Sequence, residues 1–152
     1  MMMPRGDAGA AADVVDLHGG RVISRWLDDE TVEVTYSGHA GEALVAEGAR
    51  QFWRVAGDRS VRFALVEAGA VTGIEGGIAR VGRLWLSQFK AQGGQLITVI
   101  ATLSALRMVL AAILFASGAP ARTVSSREEA VAQIARARAR ATGRFAQKPR
   151  PL

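Results

Sequence analysis

The sequence predicts a single small α/β domain, a mixed or parallel sheet with helices packed on it, in the order ββαβαβαβα. Three observations carry this. Short β-branched or apolar runs of strand length alternate with longer segments whose apolar residues recur every three or four positions. Glycine, proline or acidic residues punctuate the joins. The 152 residues, 49% hydrophobic and 22% charged, suffice for one well-filled core and are too few for two comfortable ones.

The first two strands are expected over residues 22–27 and 31–36, joined by Asp28-Asp29-Glu30, an acidic turn between β-rich runs. Alternation in the second run puts Val32, Val34 and Tyr36 on one side and Thr31, Glu33 and Thr35 on the other. Residues 41–56 then turn helical, with Val45, Ala49, Phe52, Trp53 and Ala56 on the apolar face and Gly57-Asp58 as the stop. Residues 61–66, apolar apart from Arg62, lead into an apolar strand. A second helix spans 77–91, with Ile78, Val81, Trp85 and Phe89 inward, and Gly93-Gly94 ends it. Residues 95–101 read as a strand buried on both faces, 104–117 as a third helix closed by Gly118 and Pro120, and 122–124 as a short strand. Ser125-Ser126 ahead of Glu128-Glu129 form a Ser-x-x-Glu capping box that opens a last helix to about residue 141. The domain is thus expected over 18–141, between flexible tails at 1–17 and, basic, at 142–152. Residues 1–12 hold no apolar run of the signal-peptide kind, and a cytoplasmic protein is expected.

Composition narrows the chemistry. The absence of cysteine excludes disulfides and thiolate metal sites. Two histidines, His18 and His39, sit among glycines without a carboxylate cluster, so no metal is expected, and both read as loop residues facing solvent. There is no Gly-x-x-x-x-Gly-Lys-Ser/Thr loop and no Gly-x-Ser-x-Gly elbow, and no catalytic residue or cofactor is assigned. Of the net charge of +5, the bases crowd the last fifth of the chain. There Arg136, Arg138 and Arg140 alternate with Ala, a spacing that puts Arg138 on the opposite side of a helix from the other two. With Phe145 the lone aromatic nearby, these and Arg144 read as a solvated basic end rather than a specific nucleic-acid site.

The most apolar stretch, 96–119, is interrupted by Thr98, Thr102, Ser104 and Arg107, and a central Arg costs about 2.5–3.5 kcal/mol on membrane insertion. A strand, a turn and a helix account for it better than a membrane span. Within that helix Leu106, Val109, Leu110, Ile113 and Leu114 form a core stripe, and Met108, Ala111, Ala112 and Phe115 a second apolar stripe beside it. A helix apolar nearly all round is covered on two sides. Either a neighbouring helix of the same chain packs there, or the second stripe is a surface for self-association, a partner or a lipid headgroup layer.

Residues 62–82 resemble the central strand, loop and helix start of STAS domains, the anti-sigma-factor-antagonist type. In that family an apolar strand leads through "Val-Thr-x-Ile-Asp" and "Ser-Ser-Gly" into an apolar helix. Here Val71-Thr72-Gly73-Ile74-Glu75 matches the first part with Glu for Asp, and the order of elements fits from about residue 20 to 137. The resemblance implies a non-catalytic signalling or scaffolding module of bacterial type. Its partner would be another protein, a regulatory kinase-like or scaffold component, bound through Thr72, Gly73, Ile74, Glu75, Gly76, Gly77 and Ile78. Where the family's switch members carry a phosphorylated Ser or Thr, this chain has Gly76 and Gly77, so that switch is unavailable at this spot, and Thr72 precedes the acid. Glu75 is either a fixed negative charge in place of the phosphate or a plain cap on the following helix. The glycine-rich segment Gly73 to Gly77 also leaves open a small-ligand reading, a nucleotide or another anion at the helix start.

Overall fold

The computed structural model describes residues 12–117 and 120–146. The elements are β1 (Asp13–Leu17), β2 (Gly20–Trp26), β3 (Thr31–Ala40), α1 (Glu42–Ala56), β4 (Phe63–Ile74), α2 (Ile78–Ala91), β5 (Leu96–Ile100), α3 (Ser104–Ser117), β6 (Ala121–Val124) and α4 (Arg127–Ala146). The α/β domain and its mixed sheet are as expected. One strand more than expected precedes the rest, so the order is βββαβαβαβα.

That strand corrects the expected N-terminal tail, of which residues 13–17 belong to the sheet. Leu17 pairs with Gly20, leaving His18-Gly19 as a two-residue turn. Both have positive φ, 52° and 84°, as the hairpin turn that matches strand twist requires. His18 is therefore the corner of a hairpin, and His39 is a strand residue rather than a loop one. Residues 1–11 of that tail, Gly118, residues 147–152 and the Arg144 side chain lie outside the described residues. The last helix runs past residue 141 to Ala146, so 142–146 are helical as well.

The six strands lie side by side in chain order, β1-β2-β3-β4-β5-β6. The first two pairings are antiparallel and the last three parallel. Crossovers between parallel strands are right-handed, and three that step the same way along a sheet leave their helices on one face. The core follows suit. Val34, Ala64, Ala68, Ile97 and Val99 meet Leu44 and Phe52 of α1, Phe89 of α2 and Ile113 of α3. The other face carries Phe63, Leu65, Leu96, Ile100 and Val124 against Ala130 and Ile134 of α4.

Local signals explain the ends of these elements. The Asp28 carboxylate accepts from Glu30 N at 2.8 Å in the acidic turn. The capping box forms, with Glu129 N donating to Ser126 Oγ at 3.1 Å and Ser125 N to Glu129 Oε1 at 3.2 Å. Gly93, at φ 92°, ends α2, and Gly94 N donates back to Phe89 O at 2.9 Å.

Two helix faces differ from expectation. In α1 the buried residues are Leu44, Gly48, Gln51, Phe52 and Ala56, while Val45, Ala49 and Trp53 are partly covered. The face is turned toward Gln51, whose amide bonds Ser24 Oγ, Asp13 O and Val22 O beneath the helix. In α3 the core stripe packs as expected, but Met108 is 73% and Phe115 93% exposed, and Ala111 and Ala112 are exposed too. No described helix of the chain covers that second stripe, because α4 lies on the other side of the sheet.

Candidate functional site

The site suggested by the sequence lies where β3 and β4 end and α1 and α2 begin. β4 carries two extra residues relative to β3, one between Glu67 and Ala70 and one at Thr72. Thr72 therefore bulges out, exposed, while Gly73 and Ile74 pair with His39 and Ala40. Ile78 is 5% exposed and turned into the core. The seven residues Thr72, Gly73, Ile74, Glu75, Gly76, Gly77 and Ile78 thus do not form one loop. What faces solvent is Thr72, Glu75 and Gly76.

Glu75 is not the cap of the helix that follows it. The α2 N-cap is Gly77, which has no side chain to offer. Instead the Glu75 carboxylate reaches across to α1, whose own N-cap, Gly41, is equally bare. Its Oε1 accepts from Glu42 N at 3.0 Å, and its Oε2 lies 3.1 Å from His39 Nε2. The Glu42 N–H, and after it the His39 ring, hold the Glu75 carboxyl below its ordinary value and outweigh the opposing loss of hydration. The Glu42 side chain turns the other way, pairing with Arg80 of α2 and filling the space a side chain at Gly77 would need. Gly41 is tight for the same reason, since a Cβ there would sit 2.9 Å from Glu75 Oε2. Of the junction glycines Gly41, Gly73, Gly76 and Gly77, Gly76 alone opens onto free space, and it has an ordinary φ.

The junction is thus a cross-braced pair of helix starts: Glu75 caps α1, and Glu42 of α1 pairs with α2. Sequence reasoning singled out Glu75 and missed Glu42 and His39. The signal for the pair lay in two successive helix starts that both lack a side-chain cap. Two carboxylates now stand around the glycine-rich segment, which makes it a poor seat for an anion. Among the described residues no three of His, Asp and Glu converge as a metal site, and no helix is long and apolar enough to cross a membrane.

The basic end differs from its expected solvated state. Arg138 folds back onto the body, bonding Asp28 Oδ2 and Glu30 Oε1, each at 3.1 Å, and Thr31 Oγ1 at 3.2 Å. Its guanidinium also lies 5.1 Å from the Phe63 ring centre. Arg136 and Arg140 point to solvent.

No protein-family model matches the chain, and none of the curated proteins matches it in sequence. Solved structures do match in shape. The anti-sigma factor antagonist SpoIIAA in its unphosphorylated form aligns over 74% of this chain and 95% of its own, at 12% identity and a TM-score of 0.59. An anti-sigma factor antagonist from Mycobacterium paratuberculosis aligns over 81% and 92%, at 15% identity and a TM-score of 0.54. An uncharacterized protein of the DUF3478 family, with a SpoIIAA-like fold, from Shewanella loihica PV-4 aligns over 78% and 96%, at 12% identity and a TM-score of 0.53. At such identities shape is what is shared, and the chain accordingly has the SpoIIAA-like fold.

Proposed function

We propose that this domain is a non-catalytic protein-interaction module of a bacterial-type signalling or scaffolding assembly in the cytoplasm. It docks through the exposed β4–α2 junction around Thr72, Glu75 and Gly76. The observation that carries this reading is the braced carboxylate. Glu75 is held in place by a backbone N–H of α1 and the His39 ring, at the start of α2, with open space beside it at Gly76. A negative charge fixed in that way needs no phosphoryl transfer to be present, and a partner meeting it does not have to order it first. The antagonist-like shape supports a protein as the partner.

Gly76→Asp tests the site cleanly, because a side chain there meets nothing and the backbone is unstrained. The variant is expected to keep the wild-type melting temperature and to lose the partner captured by immobilised wild-type domain. Undiminished capture would remove the junction from consideration.

The exposed Met108 and Phe115 favour a second reading, self-association through α3 with Ala111 and Ala112 at its centre. Light scattering is expected to show a concentration-dependent dimer that Met108→Ser/Phe115→Ser converts to monomer. A wild-type monomer that floats with anionic vesicles would assign the stripe to lipid instead, and one that ignores vesicles would remove the reading.

A further inference from the structure

Two of the three tryptophans have an acceptor for the ring N–H. Trp26 donates to Val55 O at 3.0 Å and Trp53 to Gln88 Oε1 at 3.2 Å. Trp85 does not, for its Nε1 is buried and without a hydrogen-bonding partner. A buried donor left in that state is uncommon and calls for an explanation.

Trp85 lines an apolar cavity of about 120 Å³ between the parallel strands and α1, α2 and α3. The Tyr36 side chain reaches the same space, its hydroxyl against Gly48, and burial pushes its phenol well above the ordinary value. No charged side chain lines the cavity, which disfavours an ionic occupant that would lose its hydration without gaining a partner. A water would need roughly two to four polar partners, and the lining offers few beyond Trp85 and Tyr36. For scale, an engineered apolar cavity of about 150 Å³ in another protein takes up benzene. Val45, Ala49 and Val109 along the lining are only partly buried, so the space is not sealed.

We propose that this cavity is a binding site for a compact, uncharged, ring-sized molecule that bears a hydrogen-bond acceptor, with the Trp85 indole N–H donating to that acceptor. The ring replaces dispersion contacts that the void forfeits, and the acceptor satisfies the orphaned donor. The site is separate from the β4–α2 junction and does not depend on its docking role.

Cyclohexanone, which carries an acceptor, and methylcyclohexane, which does not, are the probes. Each is titrated into the ¹⁵N-labelled full chain while the three indole N–H signals are followed, with Trp85→Phe identifying the relevant one. Cyclohexanone is expected to move the Trp85 signal saturably and to raise the melting temperature. Methylcyclohexane, up to its solubility limit, should bind at least tenfold more weakly. Ala49→Leu, which fills the cavity from α1, should abolish the response. Trp85→Phe, which keeps an aromatic ring, should weaken the cyclohexanone-induced thermal shift about tenfold in ligand concentration. A Trp85 signal that stays still, equal affinity for the two rings, or an undiminished response in a folded Ala49→Leu protein would each overturn the proposal.

Discussion

Glu33 shows at the level of one residue how the second face of the sheet is held. It is 3% exposed, on β3 beneath α4, with Arg25 Nε 2.8 Å from its Oε1 and Arg127 on its Oε2. Burial alone would raise its carboxyl, but the hydrogen bonds from Arg25 and Arg127 outweigh that and hold it below the ordinary value. A carboxyl depressed in the folded state contributes stability that is fully present above the unfolded value and is lost as pH falls through the folded one. Glu33→Gln is therefore expected to cost about 1–3 kcal/mol at neutral pH. The difference from wild type should narrow as pH falls below the ordinary carboxylate range and through the lowered folded value, where wild-type Glu33 itself takes up a proton. Urea unfolding of both proteins at neutral and acid pH measures it. A difference unchanged into acid would mean that the charge of Glu33 contributes nothing.

Helix α1 is joined to the first hairpin by the Trp26 ring N–H on Val55 O, by the Arg54–Asp13 ion pair and, beneath the helix, by Gln51. Gln51 is fully buried, and it is the group that ties Ser24, Val22 and the Asp13 carbonyl to the helix. Gln51→Leu keeps the volume and strands those partners, at an expected cost of about 2–3 kcal/mol. Amide exchange should quicken in β1 and β2 before it does in β5, whose five residues are all buried. The same residue shows where legibility ended. Apolar composition and periodicity located α1, α2 and α3, the capping box located α4, and Gly93 marked the end of α2, because those signals are local. Periodicity counts apolar residues only, so it turned α1 toward Val45 and Ala49 and away from Gln51. β1 went unread because Asp-Val-Val-Asp-Leu is short and does not alternate polar with apolar residues, and its turn depends on His18 adopting a positive φ. At the candidate site Glu75 was legible and its role was not, since the backbone N–H it caps belongs to a residue 33 positions earlier.

Across the molecule the two faces of the sheet are unequally provided for. Among the described residues three helices cover one face, while α4 alone covers Phe63, Leu65, Leu96 and Ile100 on the other. Arg138 and Arg127 fasten that helix to acids on β3 and the turn before it. A chain ending at residue 125 is expected to lose cooperative thermal unfolding and to bind a hydrophobic dye, because that apolar layer would face water. A single sharp transition in the truncated chain would show that three helices suffice. Laying the strands down in chain order also has a consequence for birth on the ribosome. Every ladder closes between neighbours in sequence, so the nascent sheet can grow as fast as it is translated. Its second face waits for the last 20-residue helix, which takes about 1–4 s to synthesise. Until that helix is in place, the apolar layer it covers is open to wrong partners, and that is when the newborn chain most needs a chaperone.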